Sequence, residues 1–286
     1  MMKSFKIACF SLSIIALSLL SCNGNNNSKN ESDSDAMSTT DSTVITELAV
    51  DYSAGDQTFK SYAAYKEGGE NLPVVLVVPE WWGVNDYTRS RVKQLAELGY
   101  FAMAVDMYGD GKTADDPATA GELATPFYKD AQLARKHFEA ALEKAKSFNQ
   151  VDSSKIAAIG YCFGGSMVLN MARLGLDLKG VVSFHGGLNG GLPPAQKGSI
   201  KAALLVLHGE ADSMVPEEEV KAFKKEMDEA EVNYKFIGYP GAKHAFTNPN
   251  ATAVGQKHNI DVAYDETADK ASWEELVSFL SSVFQY

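Results

Sequence analysis

The sequence predicts an α/β protein whose mostly parallel central sheet carries helices on both faces. Three observations predict it: short apolar runs alternate with helix-length segments, a glycine-framed turn joins one run to a helix, and polar residues follow the ends of several runs. In an open parallel sheet, such residues meet beyond the carboxyl ends of the strands. Residues 44–286 are enough for a single domain with a sizeable core.

Eight apolar runs have the length and composition of strands. The first two are close in sequence and predict an antiparallel hairpin, and the others are mostly separated by helix-length segments, which indicates parallel pairing. The predicted strands are 45–50, 59–65, 74–78, 101–105, 156–159, 181–184, 204–207 and 236–239. The predicted helices are 86–98, 129–148, 216–230 and 265–284, the first capped by Asp86 and closed by Gly99.

The turn Gly160-Tyr161-Cys162-Phe163-Gly164 is typical of a nucleophile elbow. Glycines two positions either side of the central residue let a strand and a helix approach closely around a strained backbone. The N-terminus of the following helix favours a thiolate over a thiol at Cys162. For this residue taken by itself, a buried cysteine in a glycine-rich turn is the alternative.

Two later loops supply the groups that a thiol nucleophile needs. Asp212 follows the apolar run 204–207, and His244 follows the strand that ends at Tyr239. The order nucleophile, acid, histidine is that of α/β-hydrolases and differs from the chymotrypsin-like and subtilisin-like orders. An imidazole takes the thiol proton and a carboxylate fixes the tautomer of the imidazole. We therefore predict that Cys162, Asp212 and His244 form a catalytic triad.

Across nearly all of residues 44–286 the sequence resembles the dienelactone hydrolase family, which has the α/β-hydrolase fold. The matching segments are 79–85, 106–108, 160–165, 208–212 and 241–246. A cysteine in the elbow and a glutamate at the position of Glu80 are characteristic of that family. The resemblance implies Cys162 as nucleophile, His244 as base, Asp212 as the residue that orients it, and Glu80 near the sulfur.

Further site residues follow from the resemblance and from positions at strand ends. The backbone N–H groups of Trp81 and Phe163 are expected to form an oxyanion hole. The residues expected to line the active site are Glu80, Trp82, Tyr108, His185 and Phe246. Core packing for the tryptophans, a structural hydrogen bond for His185 and a solvated loop for Glu80 are the alternatives.

The sequence departs from the family where substrate-binding arginines are expected. Family members that cleave dienelactone hold the substrate carboxylate with one arginine shortly after the Asp-x-Tyr segment and one two residues beyond His-x-Phe. Here these places are Gly109-Asp110-Gly111 and Thr247-Asn248. A carboxylate substrate loses its bidentate partners, and Asp110 is expected to repel it. The resemblance thus implies the reaction, hydrolysis of an ester, lactone or thioester, and not the substrate.

Residues 1–21 predict a bacterial lipoprotein signal peptide. Lys3 and Lys6 begin it, and Leu19-Leu20-Ser21-Cys22 matches a lipobox with Cys22 as the lipidated residue. The apolar stretch is too short for a comfortable membrane span, which takes ~20 apolar residues. An ordinary cleaved signal and an uncleaved anchor are the alternatives. Residues 22–43, with almost no apolar side chains, predict a disordered tether that holds the protein by its lipid in the cell envelope.

Composition argues against several partners. The net charge is −11, and it becomes −13 when cleavage removes two lysines and no acidic residue. An acidic protein without basic clusters is a poor partner for nucleic acid. Since HExxH, CxxC, EF-hand and dinucleotide patterns are absent from the sequence, no cofactor or metal is expected, and a small-molecule acyl substrate is the expected partner. A catalytically silent, tethered binding or scaffold lipoprotein on the same fold is the alternative function.

Overall fold

The computed structural model describes residues 44–285. The predicted signal peptide, Cys22 and the tether lie outside the described residues. Eight strands form one sheet: β1 (Ile45–Ala54), β2 (Gln57–Lys66), β3 (Leu72–Val78), β4 (Phe101–Ala104), β5 (Val151–Tyr161), β6 (Gly180–Phe184), β7 (Ala203–Gly209) and β8 (Tyr234–Tyr239). All eight predicted strands are confirmed. β5 starts five residues earlier than expected because its polar first residues pair with the start of β3.

The order of strands in the sheet is β1-β2-β4-β3-β5-β6-β7-β8. β1 pairs antiparallel with β2, and β2 pairs antiparallel with β4. All the other neighbouring pairs among the described strands are parallel. The expected hairpin and mostly parallel sheet are therefore confirmed. The strands β3 to β8 are parallel to one another, so their carboxyl ends meet at one edge.

The described residues contain seven helices: α1 (Asp86–Glu97), α2 (Pro117–Lys129), α3 (Ala131–Lys146), α4 (Phe163–Arg173), α5 (Glu217–Glu229), α6 (Ala251–His258) and α7 (Glu266–Phe284). The cap predicted at Asp86 is wrong by one residue: the side chain of Asn85 accepts from the N–H of Thr88 at 3.1 Å. Within residues 44–285, no helix combines the length and the apolar character that crossing a bilayer requires.

The helices cover both faces of the sheet and bury two apolar layers. In β3, Val74, Leu76 and Val78 face one layer, and Val75 and Val77 face the other. The first layer also contains side chains of α2, α3, α4 and α5, whereas the second contains side chains of α1 and α7. A strand buried on both faces needs apolar residues at successive positions, which explains the uninterrupted apolar runs in the sequence.

Polar residues lie at the carboxyl edge of the sheet, where the sequence analysis predicted them. In chain order, the residues just beyond strands β3 to β8 at this edge include Glu80, Asp106, Cys162, His185, Asp212 and His244. Asp106 has a structural task, because its carboxylate accepts from the backbone N–H groups of Lys60, Gly109 and Gly111 at 2.8–2.9 Å. Three of the other five residues, Glu80, Cys162 and His244, line one cavity.

Candidate active site

Cys162 lies between β5 and α4 with a left-handed backbone, φ +52° and ψ −115°. A residue with a side chain adopts such a conformation at a cost of ~1–3 kcal/mol, which the surrounding structure must offset. The N–H of Cys162 donates to the carbonyl of Phe184 at 3.0 Å, and the N–H of Ser166 donates to the carbonyl of Cys162 at 3.2 Å. The thiol is half-buried, forms no disulfide within the described chain, and opens onto a cavity.

Gly160 and Gly164 lie where the neighbouring backbone leaves no room for a side chain. A Cβ added at Gly160 would lie 2.1 Å from the carbonyl oxygen of Gly164, and a Cβ at Gly164 would lie 2.2 Å from that of Val78. Both contacts are with backbone atoms, which cannot rotate away as a side chain can. The close approach of α4 to β5 and β3, which the glycine spacing predicted, is therefore present in the structure.

Asp212 and His244 are hydrogen-bonded to each other at the ends of β7 and β8. Asp212 Oδ2 accepts from His244 Nδ1 at 2.7 Å, while Asp212 Oδ1 accepts from the N–H of Met214 at 2.8 Å. Both side chains are buried. Because an ionised carboxylate only accepts, Nδ1 carries the proton, and the neutral ring has its free acceptor position at Nε2.

The Nε2 atom of His244 is buried, makes no hydrogen bond to a nitrogen or oxygen atom of the described residues, and has the Cys162 sulfur as its interacting neighbour. Burial disfavours the imidazolium form, but the Cys162 sulfur and Asp212, through their charges and hydrogen bonds, outweigh it and raise the pKa of His244 well above its usual range. The ring therefore has Nε2 beside the sulfur and surroundings that stabilise a proton taken from the thiol.

Glu80, just beyond β3, is buried in the same cavity. Its Oε2 accepts from Asn248 Nδ2 at 2.7 Å. Burial raises the pKa of Glu80 to about 7, and the amide of Asn248 and the charges of His244 and Arg91 only partly oppose this effect. The solvated-loop alternative for Glu80 does not describe this carboxyl group, which is 3% exposed.

A cavity of about 360 Å³ adjoins the Cys162 sulfur, a volume that suits a small organic molecule. Its apolar lining is formed by Trp81, Trp82, Tyr128, Met214, Val215, Ala245, Ala251, Val254, Ile260 and Val262. Its polar side chains are those of Glu80, Ser166, Asn189, Glu219, His244 and Asn248. No lysine or arginine of the described chain lines it. Two carboxyl groups in such a cavity disfavour an anionic ligand.

Three residues expected in the lining lie behind it instead. Tyr108 is buried, donates from its hydroxyl to the carbonyl of Trp81 at 2.9 Å, and packs against the Phe163 ring. His185 and Phe246 are completely buried and pack against each other with ring centroids 5.2 Å apart. The expectation failed because the positions nearest a strand end point into the core layers, and residues further along the loops reach the cavity.

The backbone around Trp81 and Phe163 suits an oxyanion hole. Trp81 follows Glu80 in the loop after β3, and Phe163 is the first residue of α4. Neither N–H group donates a hydrogen bond to another described residue. Free N–H groups at a helix start and in a facing loop are the donors that such a site requires.

The sequence did not indicate the parts of the cavity that come from distant helices. Tyr128 at the end of α2, Glu219 in α5, and Val254 in α6 all line it. Asn248, at a position where the family resemblance implies an arginine, lies in the lining. Asp110 does not line the cavity, contrary to the repulsion expected of it, since its exposed carboxylate bonds to the hydroxyl of Thr58.

Residues 44–285 contain no group of three or more histidine, cysteine, aspartate or glutamate side chains arranged to hold a metal ion. The cavity presents a thiol, an imidazole and carboxyl groups.

Comparison with known proteins shows the family of the chain. The model of the Dienelactone hydrolase family matches residues 59–284. An Escherichia coli K12 protein provisionally named carboxymethylenebutenolidase is 30% identical over 219 residues, which are 73% of this chain and 80% of that protein. Protein usf of Aquifex pyrophilus is 30% identical over 226 residues, 76% of this chain and 90% of that protein.

Two solved structures are similar over most of their length. A dienelactone hydrolase-like promiscuous phosphotriesterase from metagenomic libraries is 36% identical, with a TM-score of 0.76 over 84% of this chain and 98% of that chain. The protein m3DLH is 34% identical, with a TM-score of 0.78 and the same coverage. The family model, the relatives and the eight-stranded sheet agree, and the chain belongs to the dienelactone hydrolase family as a hydrolase with the α/β-hydrolase fold.

Proposed function

We propose that this hydrolase cleaves an ester, lactone or thioester through a Cys162–His244–Asp212 triad and a thiol acyl-enzyme. The observation that carries the proposal is the state of the His244 ring: Nδ1 is bound to Asp212 at 2.7 Å, and the buried Nε2, which bonds to no nitrogen or oxygen of the described residues, interacts with the Cys162 sulfur. Beside a strained, half-buried cysteine, this nitrogen is suited to receive the thiol proton.

In the first half of the reaction, Cys162 gives its thiol proton to His244 Nε2, and the resulting thiolate attacks the carbonyl carbon. The carbonyl electron pair moves to oxygen, and the N–H groups of Trp81 and Phe163 donate to the resulting oxyanion. The tetrahedral intermediate collapses, the bond to the leaving oxygen or sulfur breaks, and His244 protonates the leaving group. The acyl group is then bound to Cys162 as a thioester.

In the second half, water replaces the leaving group. His244 Nε2 takes a proton from the water as its oxygen attacks the thioester carbon, and the same N–H groups stabilise the second oxyanion. Expulsion of the sulfur releases the carboxylic acid and restores the thiol. Asp212 accepts the hydrogen bond of Nδ1 throughout and stabilises the imidazolium, which agrees with the raised pKa of His244. Ionised Glu80, which interacts electrostatically with His244, adds to this stabilisation.

The cavity favours uncharged substrates. Glu80 and Glu219 contribute carboxyl groups to it, and the position of a family arginine holds Asn248. A lactone with a carboxymethylene group, as the name of the Escherichia coli relative implies, carries a negative charge that this lining does not neutralise. Neutral esters, lactones and thioesters fit better. The name of the metagenomic relative adds neutral phosphotriesters to the compounds worth testing.

We also propose that the protein is lipid-anchored in the cell envelope. The support is the sequence of residues 1–43: a positively charged start, an apolar stretch, the lipobox that ends at Cys22, and a polar tether. Under this proposal, the lipid supplies membrane attachment and the tether sets the distance between the membrane and the hydrolase.

The test is a panel of short-chain p-nitrophenyl esters, lactones, acyl thioesters and a neutral phosphotriester, with wild type and Cys162→Ala compared. We expect wild type to hydrolyse at least one acyl class, and Cys162→Ala to lose that activity while keeping its thermal midpoint. Iodoacetamide should label Cys162 of wild type at neutral pH. Absence of both turnover and labelling would instead support the silent binding lipoprotein.

A further inference from the structure

His185 occupies an unusual place in the fold, between the nucleophile and the loop that carries His244. It follows β6, it is completely buried, and its backbone is left-handed with φ +40°. Both ring nitrogens are used: Nδ1 accepts from the N–H of Cys162 at 3.1 Å, and Nε2 lies 2.8 Å from the Thr247 hydroxyl oxygen. Thr247 is three residues beyond His244 in the same loop.

We infer that His185 and Thr247 form a brace that fixes the nucleophile turn relative to the histidine loop, so that both act as positioning residues for the proposed hydrolysis. The inference rests on the proposed function. One imidazole joins the two loops whose relative position decides whether the Cys162 thiol and the His244 ring meet. A misplacement of ~1 Å between reacting groups is enough to lower rates about a hundredfold.

The hydrogen-bond directions agree along the whole brace. The Cys162 N–H can only donate, so Nδ1 of His185 must be the acceptor and Nε2 must carry the proton. The Nε2–H group then donates a hydrogen bond to the hydroxyl oxygen of Thr247. Burial and the neighbouring His244 lower the pKa of His185 well below its usual range, which keeps the ring neutral, as this arrangement requires.

The far end of the brace is anchored to two helices. The Thr247 hydroxyl lies 2.6 Å from the Tyr87 hydroxyl in α1, and Arg91 Nη2 donates to the Thr247 carbonyl at 2.7 Å. Arg91 also forms an ion pair with Asp269 in α7. Thr247 is completely buried. The brace therefore has little freedom to shift. Such rigidity is needed to hold the Cys162 turn and the His244 loop in their strained conformations.

Strained backbone lies at Cys162, where the brace begins, at His185 in its centre, and at Ala245 in the histidine loop. Cys162, His185 and Ala245 all have left-handed backbones, with φ values of +52°, +40° and +60°. Each such residue costs ~1–3 kcal/mol and relaxes unless its surroundings hold it. The N–H of Cys162 is shared between the Phe184 carbonyl and His185. Loss of the His185 acceptor is thus expected to loosen the turn without abolishing it.

The matched variants are Thr247→Val, which removes the hydroxyl at constant shape, and Thr247→Ser, which keeps it. In the full-length protein, we expect Thr247→Val to lower kcat roughly 10-fold to 100-fold with KM within about twofold of wild type, because the buried Nε2–H of His185 loses its acceptor. Thr247→Ser should stay within about threefold of wild type in kcat. His185→Asn tolerates a left-handed backbone but is too short to span the brace, and it should behave like Thr247→Val.

A second readout does not need turnover. The rate of Cys162 alkylation by iodoacetamide, measured across pH in each variant, should change in Thr247→Val and His185→Asn and match wild type in Thr247→Ser. Thermal midpoints are recorded so that all kinetics are taken on folded protein. Wild-type kcat and alkylation profile in Thr247→Val and His185→Asn would overturn the brace, as would equal losses in the valine and serine variants. If wild type turns over no substrate, the proposed function fails, and the alkylation profiles still decide on the brace.

Discussion

Replacing Glu80 by glutamine is expected to stabilise the protein at alkaline pH and to do so much less at acidic pH. Burial raises the pKa of Glu80 to about 7 in the native protein, whereas the carboxyl of the unfolded chain titrates near 4.5. Between these values native Glu80 keeps its proton and the unfolded chain releases it. The contribution of Glu80 to the free energy of unfolding therefore falls as pH rises from about 4.5 to about 7. Above about pH 7 this contribution stays low.

The size of the effect follows from the same two values. The difference between about 7 and 4.5, at about 1.4 kcal/mol per pH unit, corresponds to roughly 3 kcal/mol over the full range. Between about pH 5 and about pH 8.5 we expect the stability of Glu80→Gln relative to wild type to rise by roughly 2–3 kcal/mol. Glutamine keeps the acceptor oxygen for Asn248, so the hydrogen bond at 2.7 Å is retained in the variant.

The assay is urea unfolding of wild type and Glu80→Gln at both pH values, with the difference in unfolding free energy compared. Other titrating groups are common to the two proteins and cancel in the difference. The reasoning is refuted if the difference is the same at both pH values. We also expect kcat/KM to fall in the variant, because Glu80 can no longer stabilise the protonated His244 ring. If Glu80 lowers stability and raises kcat/KM, its carboxylate has a role in the active site that outweighs its cost to stability.

Three further predictions concern the elbow, the anchor and the substrate. Gly164→Ala should lower the free energy of unfolding by about 3 kcal/mol or more, because the added Cβ would lie 2.2 Å from a backbone oxygen. The control Gly121→Ala has open space around it in α2, and in the same unfolding assay it should be neutral or stabilising by up to ~1 kcal/mol. Cys22→Ala should remove bound fatty acid and membrane fractionation without changing kcat/KM; fatty acid in the variant, or none in wild type, contradicts the lipobox. A neutral ester should exceed its carboxylate-bearing analogue by about tenfold or more in kcat/KM at low salt, with the gap narrowing as salt screens Glu80 and Glu219. A preference for the anion that salt weakens would reveal a cationic contact.

The fold was predictable because the sheet is buried on both faces. Each central strand is an apolar run, and each ends in glycine or polar residues that mark the edge of the sheet. The helix α2 escaped prediction because Gly121 and Pro126 lie inside it, and both disfavour a helix interior. Its signals were Asp116 as N-cap and Pro117 in the first turn, which outweigh the two unfavourable residues once the helix packs on the core.

The proposed triad was predictable because each member follows a recognisable strand. The cavity was not, because its walls come from side chains far apart in sequence. Tyr128, Glu219 and Val254 lie on three different helices, and the sequence around each has no local sign of a binding site. His185 illustrates the same limit: its two hydrogen bonds reach residues 23 and 62 positions away. Only tertiary packing brings such partners together.

The central claim is that Cys162 carries the acyl group during turnover. The direct measurement is acid quench during steady-state hydrolysis of the slowest acyl substrate in the panel, followed by intact-protein and peptide mass spectrometry. We predict one acyl group per chain, located on Cys162, in wild type, and neither acyl group nor turnover in Cys162→Ala. An acyl group on any other residue, or turnover by Cys162→Ala near the wild-type rate, would contradict the account.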